Sequence, residues 1–317
     1  MAIVLGPNQY GKAEVRMVYV DRSGPAHVIT DVNVTSQLIG DFADTHLTGD
    51  NRAVIATDTQ KNTVYAMART GGLTSPEEFA LRLARNYVGK HEQVTGARMA
   101  VERYSWDRIS TSAGPHDHAF AKGTAEARTT VVRKDGDAET VISGLTGLVV
   151  LKSTGSEFRG FSDVGYTSLV ETDDRILATA VTARWRYIGS AIDRGIDRGI
   201  DRGIDWGIDR GIDWDKAFVA ARSALLEQFA NTHSLSLQQT LFAMGKGALE
   251  AVPEMAEIRL SLPNRHHFLV DLDAWGLDNP HQVFYAADRP YGLIEASVLR
   301  DDAPVVEGAW DSIAGFI

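Results

Sequence analysis

The chain has 317 residues, 44% hydrophobic and 23% charged, which supplies apolar material for a sizeable core and about two domains. Its formal net charge of −10 excludes a general nucleic-acid binder, which needs a clustered Lys/Arg surface. A single Arg or Lys in a pocket can still attract a small anion, because salt screens the global charge beyond roughly 8 Å. Cysteine is absent, so disulfides, thiolate catalysis, Cys-based zinc sites and iron–sulfur clusters are excluded together.

Residues 12–20 alternate, with Val15, Met17 and Tyr19 on one side, and predict a strand. A second β-rich run, 27–38, follows the turn-prone Ser23-Gly24-Pro25. A helix is expected next, capped by Thr74 or Ser75, with Pro76 in its first turn and Glu77 and Glu78 at its positive end. Phe79, Leu81, Leu83 and Tyr87 give it apolar positions through about residue 90. Strand-like runs near 97–106 and 125–133 close the first half.

The second half repeats this grammar. Strands near 140–151 and 175–187 precede helices near 215–231 and 236–251, then strands near 256–262, 266–272 and 292–299. In the first of these, Ile258, Leu260 and Leu262 point inward. Strands, helices and strands, twice over, predict two α+β units of similar plan rather than a parallel βαβ sheet. The boundary falls around Asp135-Gly136-Asp137, giving domains 1–140 and 141–317.

Residues 192–214 break the pattern with a repeated Ile-Asp-Arg/Trp-Gly tetrapeptide. Its glycines, each costing ~1 kcal/mol in a helix interior, argue against a helix. Alternation leaves neither strand face cleanly apolar. A low-complexity loop is expected, and its aspartates lack the nonapeptide spacing of calcium solenoids.

No run approaches the ~20 apolar residues of a membrane span. The apolar opening Met1–Leu5 is too short for a signal-peptide core, and the terminal Ala314-Gly315-Phe316-Ile317 is not a peroxisomal tripeptide. A cytoplasmic protein without membrane contact is expected.

Four clusters could carry chemistry: Asn8-Gln9-Tyr10-Gly11-Lys12, Ala56–Thr63, residues 148–175, and Ser261–Phe268. Each has an ordinary structural reading. Lys12 at a strand start is solvated, Thr57 or Asp58 caps a helix, Phe158 is core and Arg175 a surface ion pair. His266 and His267, as strand neighbours, face opposite ways and do not chelate one ion. His116-Asp117-His118 has metal-like spacing, since i and i+2 share a strand face, but a third ligand at recognisable spacing is missing. The sequence carries no dinucleotide loop, P-loop or nucleophile elbow, so a nicotinamide or flavin enzyme is unsupported.

Taken together, in order and spacing, these clusters resemble the urate oxidase (uricase) family. NQYGKAEVR at 8–16, ATDTQKNTVYA at 56–66 and SLPNRHHF at 261–268 look like its motifs. The stretch from Leu148 through Lys152-Ser153-Thr154, Phe158, Phe161, Tyr166 and Leu169 to Arg175 matches its most diagnostic pattern. The likeness covers nearly the whole chain except the tetrapeptide repeat. It implies the tunnelling fold, an α+β architecture of two tandem domains, each an antiparallel sheet with helices on one face. Two chains would close their sheets into a barrel, and two barrels would stack into a homotetramer around a tunnel.

The resemblance also implies an oxidoreductase needing neither cofactor nor metal, with urate and O2 as its partners. It would oxidise uric acid with O2 and water to 5-hydroxyisourate and hydrogen peroxide, a step of purine degradation. Substrate residues fall on Phe158, Arg175, Leu237, Gln238 and Asn264, with Thr57 and Asp58 from a neighbouring chain. The catalytic set falls on Lys12 and Thr57, assisted by His266. If Lys12 and Thr57 met only across a subunit interface, inactive Lys12→Ala and Thr57→Ala chains would complement each other. Arg265 stands where family members often carry Lys, and Leu237 where some carry Val; neither change touches the mechanism. Two rival readings are another tunnelling-fold purine or pterin enzyme and a non-catalytic purine-binding scaffold. The first wants a zinc ligand set that the sequence lacks, and the second the loss of Lys12, Thr57 or His266, all of which are present.

Overall fold

The computed structural model describes residues 1–189, 192, 211–287, 289–311 and 313. The loop expected at 192–214 falls mostly outside the described residues. The chain divides into two compact units. The first comprises Met1–Leu145, Arg186–Lys216 and Val306–Ala309, the second Thr146–Trp185, Ala217–Val305 and Trp310–Ile317.

In the first unit, strands β1 (Tyr10–Asp21), β2 (Val28–Gly40), β3 (Val94–Thr111) and β4 (Gly114–Asp135) pair antiparallel in chain order. A two-residue turn, with Gly136 at φ +51°, then leads into β5 (Ala138–Lys152). Val32, Val34 and Leu38 of β2 alternate into the core and meet Ala97, Met99 and Val101 of β3.

Three helices join this sheet: α1 (Ala43–Leu47), α2 (Thr57–Gly71) and α3 (Pro76–Lys90). As expected, α3 is capped by Ser75, whose Oγ accepts from the Glu78 amide at 3.1 Å, and it buries Phe79, Leu83 and Tyr87. Glu77 serves more than the helix dipole. It is fully buried, bound by Arg128 at 2.6 Å and by the Ser143 hydroxyl at 2.6 Å.

The chain continues, mostly in the second unit, with β6 (Leu177–Tyr187), α4 (Trp214–Asn231), α5 (Leu237–Ala251), β7 (Met255–Pro263), β8 (His267–Leu269), β9 (Phe284–Ala286) and β10 (Leu293–Leu299); the last two residues of β6 and the first three of α4 fall in the first unit. β7 pairs antiparallel with β10, and Ile258, Leu260 and Leu262 point inward as the alternation predicts. Ala217, Ala221, Leu225 and Phe229 of α4 make an i, i+4 apolar stripe. On α5, Gly245 lets the helix approach β10 closely, since a Cβ there would lie 2.6 Å from Val298. The strand expected over 266–272 shrinks to β8, which pairs only with β9. From Val270 the chain turns away through a 3-10 turn at Asp273–Trp275, because Asn279 collects the carbonyls of Val270 and Val283 at 2.8 Å.

Gly11 marks the tightest approach in the first unit. A Cβ at this position would stand 1.7 Å from the Ser36 carbonyl oxygen on the neighbouring strand. Gly11→Ala must push β1 off β2, so we expect a loss of about 3 kcal/mol or more. A thermal unfolding midpoint unchanged from the parent would contradict this packing.

Candidate active site

The expected site residues fall into two groups, one in each unit. In the first unit, Lys12 sits near the start of β1, just before a bulge that shifts the register between Lys12 and Val15. Glu14 in the bulge adopts φ +56° and donates its amide to Thr35 Oγ1 at 3.1 Å. Such bulges turn the flanking side chain away from strict alternation.

α2 is fastened over this strand start. The Tyr10 hydroxyl accepts from the Ile55 amide at 2.8 Å and donates to the Ile55 carbonyl at 3.2 Å, while its ring meets Phe42 edge-on at 4.8 Å. The buried Gln60 side-chain amide oxygen, Oε1, accepts from Ser36 Oγ at 2.8 Å. These ties bring the first turn of α2 close enough for the Lys12 charge to act on the Asp58 carboxylate within one chain.

Neither Thr57 nor Asp58 caps the helix. α2 starts at Thr57 after Ala56, without a side-chain cap bond. The Asp58 carboxylate accepts instead from Lys61 at 2.5 Å and Asn62 at 2.9 Å. The Lys61 bond and charge, then Asn62 and Lys12, hold its pKa below the ordinary value. The Thr57 hydroxyl has no hydrogen-bond partner among the described residues.

In the second unit, Ser156 and Phe158 are the fixed points. Ser156 pairs in a parallel bridge with Ser234, with the Glu157 amide bonded to the Ser234 carbonyl at 2.8 Å. The Arg175 amide donates to the Ser156 carbonyl at 2.8 Å, and Phe158 exchanges backbone bonds with Thr172. The guanidinium carbon of Arg175 thus lies 5.1 Å from the Phe158 ring centroid, and Phe161 stacks on Phe158 at 5.2 Å.

Phe158 and Arg175 are half-buried, and no carboxylate pairs with Arg175 among the described residues. Burial makes its charged form less favourable and pulls its pKa down. The readings of Phe158 as core and Arg175 as a surface ion pair both give way to an uncompensated cation beside an aromatic face. A half-buried guanidinium without an anion is incomplete as a structural element and suits an anionic ligand.

The remaining residues of this unit gather on the same framework. The chain leaving Ser234 enters α5, where Ser236 Oγ accepts from the Gln239 amide at 3.1 Å; Leu237 and Gln238 are the first two helical residues. Asn264 bridges to Thr179 on β6, and the Arg265 amide donates to the Ala178 carbonyl at 2.8 Å. This docks the 264–266 turn onto the strand that begins just after Arg175. His266 stacks on Phe268 at 5.7 Å, and its pKa is pushed down by burial, then by the charges of Arg175 and His267. His267 faces the other way, its Nδ1 3.0 Å from the Arg265 carbonyl.

Among the described residues, the side chains of Gln238, Asn264 and His266 form no hydrogen bond. Polar side chains with open bonding capacity, in the unit that also holds an unpaired cation, suit a polar ligand. Sequence reasoning alone missed the supports of the two groups, Tyr10 and Gln60 in the first unit and Ser156 and Ser234 in the second. Their partners lie far away in sequence, so only the resemblance or the fold could draw attention to them.

His116 and His118 also come together, ring centroids 4.5 Å apart, on β4. Among the described residues, no group of three His, Cys, Asp or Glu could hold a metal ion. No described helix is long and apolar enough to cross a membrane.

Comparison with known proteins agrees over the whole chain. The uricase family model matches residues 8–133 and 141–295. The uricase of Arthrobacter globiformis is 51% identical over 314 residues, covering 99% of this chain and 96% of that protein. That of Dictyostelium discoideum is 35% identical, covering 92% and 96%. The crystal structure of the Arthrobacter globiformis uricase superposes with a TM-score of 0.86 at 50% identity, covering 98% of this chain and 100% of that one. The architecture is the α+β tunnelling fold of those structures, and the chain belongs to the uricase family.

Proposed function

We propose that this protein is a urate oxidase, converting urate, O2 and water to 5-hydroxyisourate and hydrogen peroxide. The observation that carries the reading is the half-buried, unpaired Arg175 guanidinium beside the Phe158 ring, its charge acting on His266, with the Gln238, Asn264 and His266 side chains of the same unit unbonded among the described residues. A flat purine anion stacks on an aromatic face, worth ~1–3 kcal/mol per base. Arg175 supplies two parallel donors and the counter-charge. Gln238, with one donor and one acceptor group, and the Leu237 amide complete the reading of the ring edge.

The chemistry starts with loss of a second proton from urate, which makes the ring electron-rich enough to reduce oxygen. Thr57 passes that proton to Lys12, in keeping with its unbonded hydroxyl and with the Lys12 charge acting on the adjacent Asp58. Asn264 holds O2, and later water, over the ring. Two electrons and two protons pass to O2 to form hydrogen peroxide, and water adds to the oxidised ring to give 5-hydroxyisourate. No cofactor or metal takes part. The Thr57 and Asp58 side of one chain completes the Arg175 side of a neighbour, in a homotetramer working in the cytoplasm. The test is stoichiometric: an oxygen electrode and a peroxidase-coupled assay should find one O2 consumed and one peroxide formed per urate. Urate loss without peroxide would contradict the reading.

His266 assists as a neutral imidazole. Its charged form is disfavoured, so the ring stays neutral below the ordinary histidine value of 6.5. Activity that requires the neutral form therefore falls only as pH drops through the lowered pKa. The acid limb of kcat/KM should lie below 6.5 and change in His266→Gln. A limb at or above that value, or one unaltered by the substitution, would remove His266 from the proton path.

A further inference from the structure

Lys152 closes β5 in an unusual setting. Its ammonium has no carboxylate partner among the described residues. It donates to the Thr232 carbonyl at 2.5 Å and to Ser234 Oγ at 2.7 Å, and lies 5.5 Å from the centre of the Phe229 ring. Ser234 and Thr240 are both fully buried, their hydroxyls 2.5 Å apart, and Thr240 Oγ1 donates onward to the Ser236 carbonyl at 3.1 Å.

One proton arrangement satisfies every bond. An ammonium can only donate, so Ser234 Oγ accepts from Lys152 and donates to Thr240, which donates to Ser236. The cation thus fixes the direction of a hydroxyl chain that ends at the N-cap of α5. At the other side, the same Ser234 is bonded through its backbone to Gly155 and Glu157. Those residues flank Ser156, whose carbonyl holds the Arg175 amide and whose Oγ lies 3.4 Å from Arg175 Nε.

We propose that Lys152 is a positioning residue for substrate: acting through Ser234 and Thr240, it sets the spacing between Phe158 and Arg175 and the Leu237–Gln238 end of α5. The proposal rests on the urate-binding reading of those residues. The two groups read different edges of one rigid ligand, so a shift of either breaks hydrogen bonds on the other. The strain falls on binding before chemistry, because Lys152 touches neither the Lys12–Thr57 relay nor oxygen. Burial also lowers the Lys152 pKa, in keeping with an ammonium held by neutral oxygens rather than by a carboxylate.

The test uses full-length Lys152→Met and Ser234→Ala proteins. Anaerobic titration with urate gives the dissociation constant without turnover, and aerobic assays give KM and kcat. Each variant should raise both Kd and KM about tenfold, the size of one weakened charge-assisted hydrogen bond, with kcat within about threefold of the parent. Should Lys152→Met fail to fold, Ser234→Ala decides alone, since it keeps the cation and loses one hydroxyl. Unchanged Kd and KM in a folded variant, or a fall in kcat with KM unchanged, would overturn the proposal. A parent protein that neither binds nor oxidises urate would instead overturn the functional reading itself.

Discussion

Replacing Arg175 by alanine should raise the Michaelis constant for urate by about 10²–10⁴. Hydrogen bonds to a charged group contribute about 1.5–3 kcal/mol each, and the substitution removes two of them together with the counter-charge. The fold should survive. Within the chain, the Arg175 side chain makes one long bond to Ser156 and a contact with Phe158, whereas its backbone amide does the structural bonding and is retained. The damage should therefore show in KM far more than in the thermal midpoint. Near-normal urate affinity in a folded Arg175→Ala protein would remove this residue from the site.

Mixed oligomers should complement in one pairing and fail in another. The Lys12 charge acts on Asp58, next to Thr57, within one chain; if Lys12 and Thr57 work from one chain, Lys12→Ala and Thr57→Ala leave every site of a mixed assembly with one lesion. Removing a proton-relay member costs ~10²–10⁴ in rate, and mixing these two should restore nothing. Thr57→Ala mixed with Arg175→Ala is different if each site takes its two groups from neighbouring chains. Such a pair then has one site carrying both lesions and one carrying neither, and up to half the activity of a parent pair returns. Co-expression with two tags and a urate absorbance trace measure both mixtures. Rescue in the first would contradict the one-chain relay; failure in the second, with mixed oligomers confirmed, would contradict sharing between chains.

Strands such as 256–262 alternate cleanly because one face is core and the other polar, so Ile258, Leu260 and Leu262 were legible from period alone. α3 announced itself through Ser75, Pro76 and its apolar stripe. α2 did not, for it buries only Gln60, Val64 and Ala68, too little apolar surface for the helical period to stand out. Its polar buried position, Gln60, is explained only by Ser36 on β2. The β8–β9 hairpin likewise depends on Asn279, whose bonds reach across a loop that carries no periodic signal.

The site was legible as motifs but not as geometry. Residue types and order drew attention to Lys12, Thr57, Phe158, Arg175 and His266, yet local chemistry favoured a helix cap for Thr57 and an ion pair for Arg175. Both local readings fail for tertiary reasons. Tyr10 fastens residue 55 so that α2 begins uncapped beside Lys12, and the Ser156–Ser234 bridge holds Arg175 against Phe158, where no carboxylate among the described residues reaches it. Long-range backbone pairing of this kind leaves no trace in spacing.

The central claim is that these side chains alone oxidise urate. It is tested most directly by following the urate absorbance band after adding protein that has been exhaustively chelated and shown by elemental analysis to be free of metal. The account predicts an undiminished decline of the band, with hydrogen peroxide appearing in step. Activity lost on chelation and restored by one particular metal would contradict it.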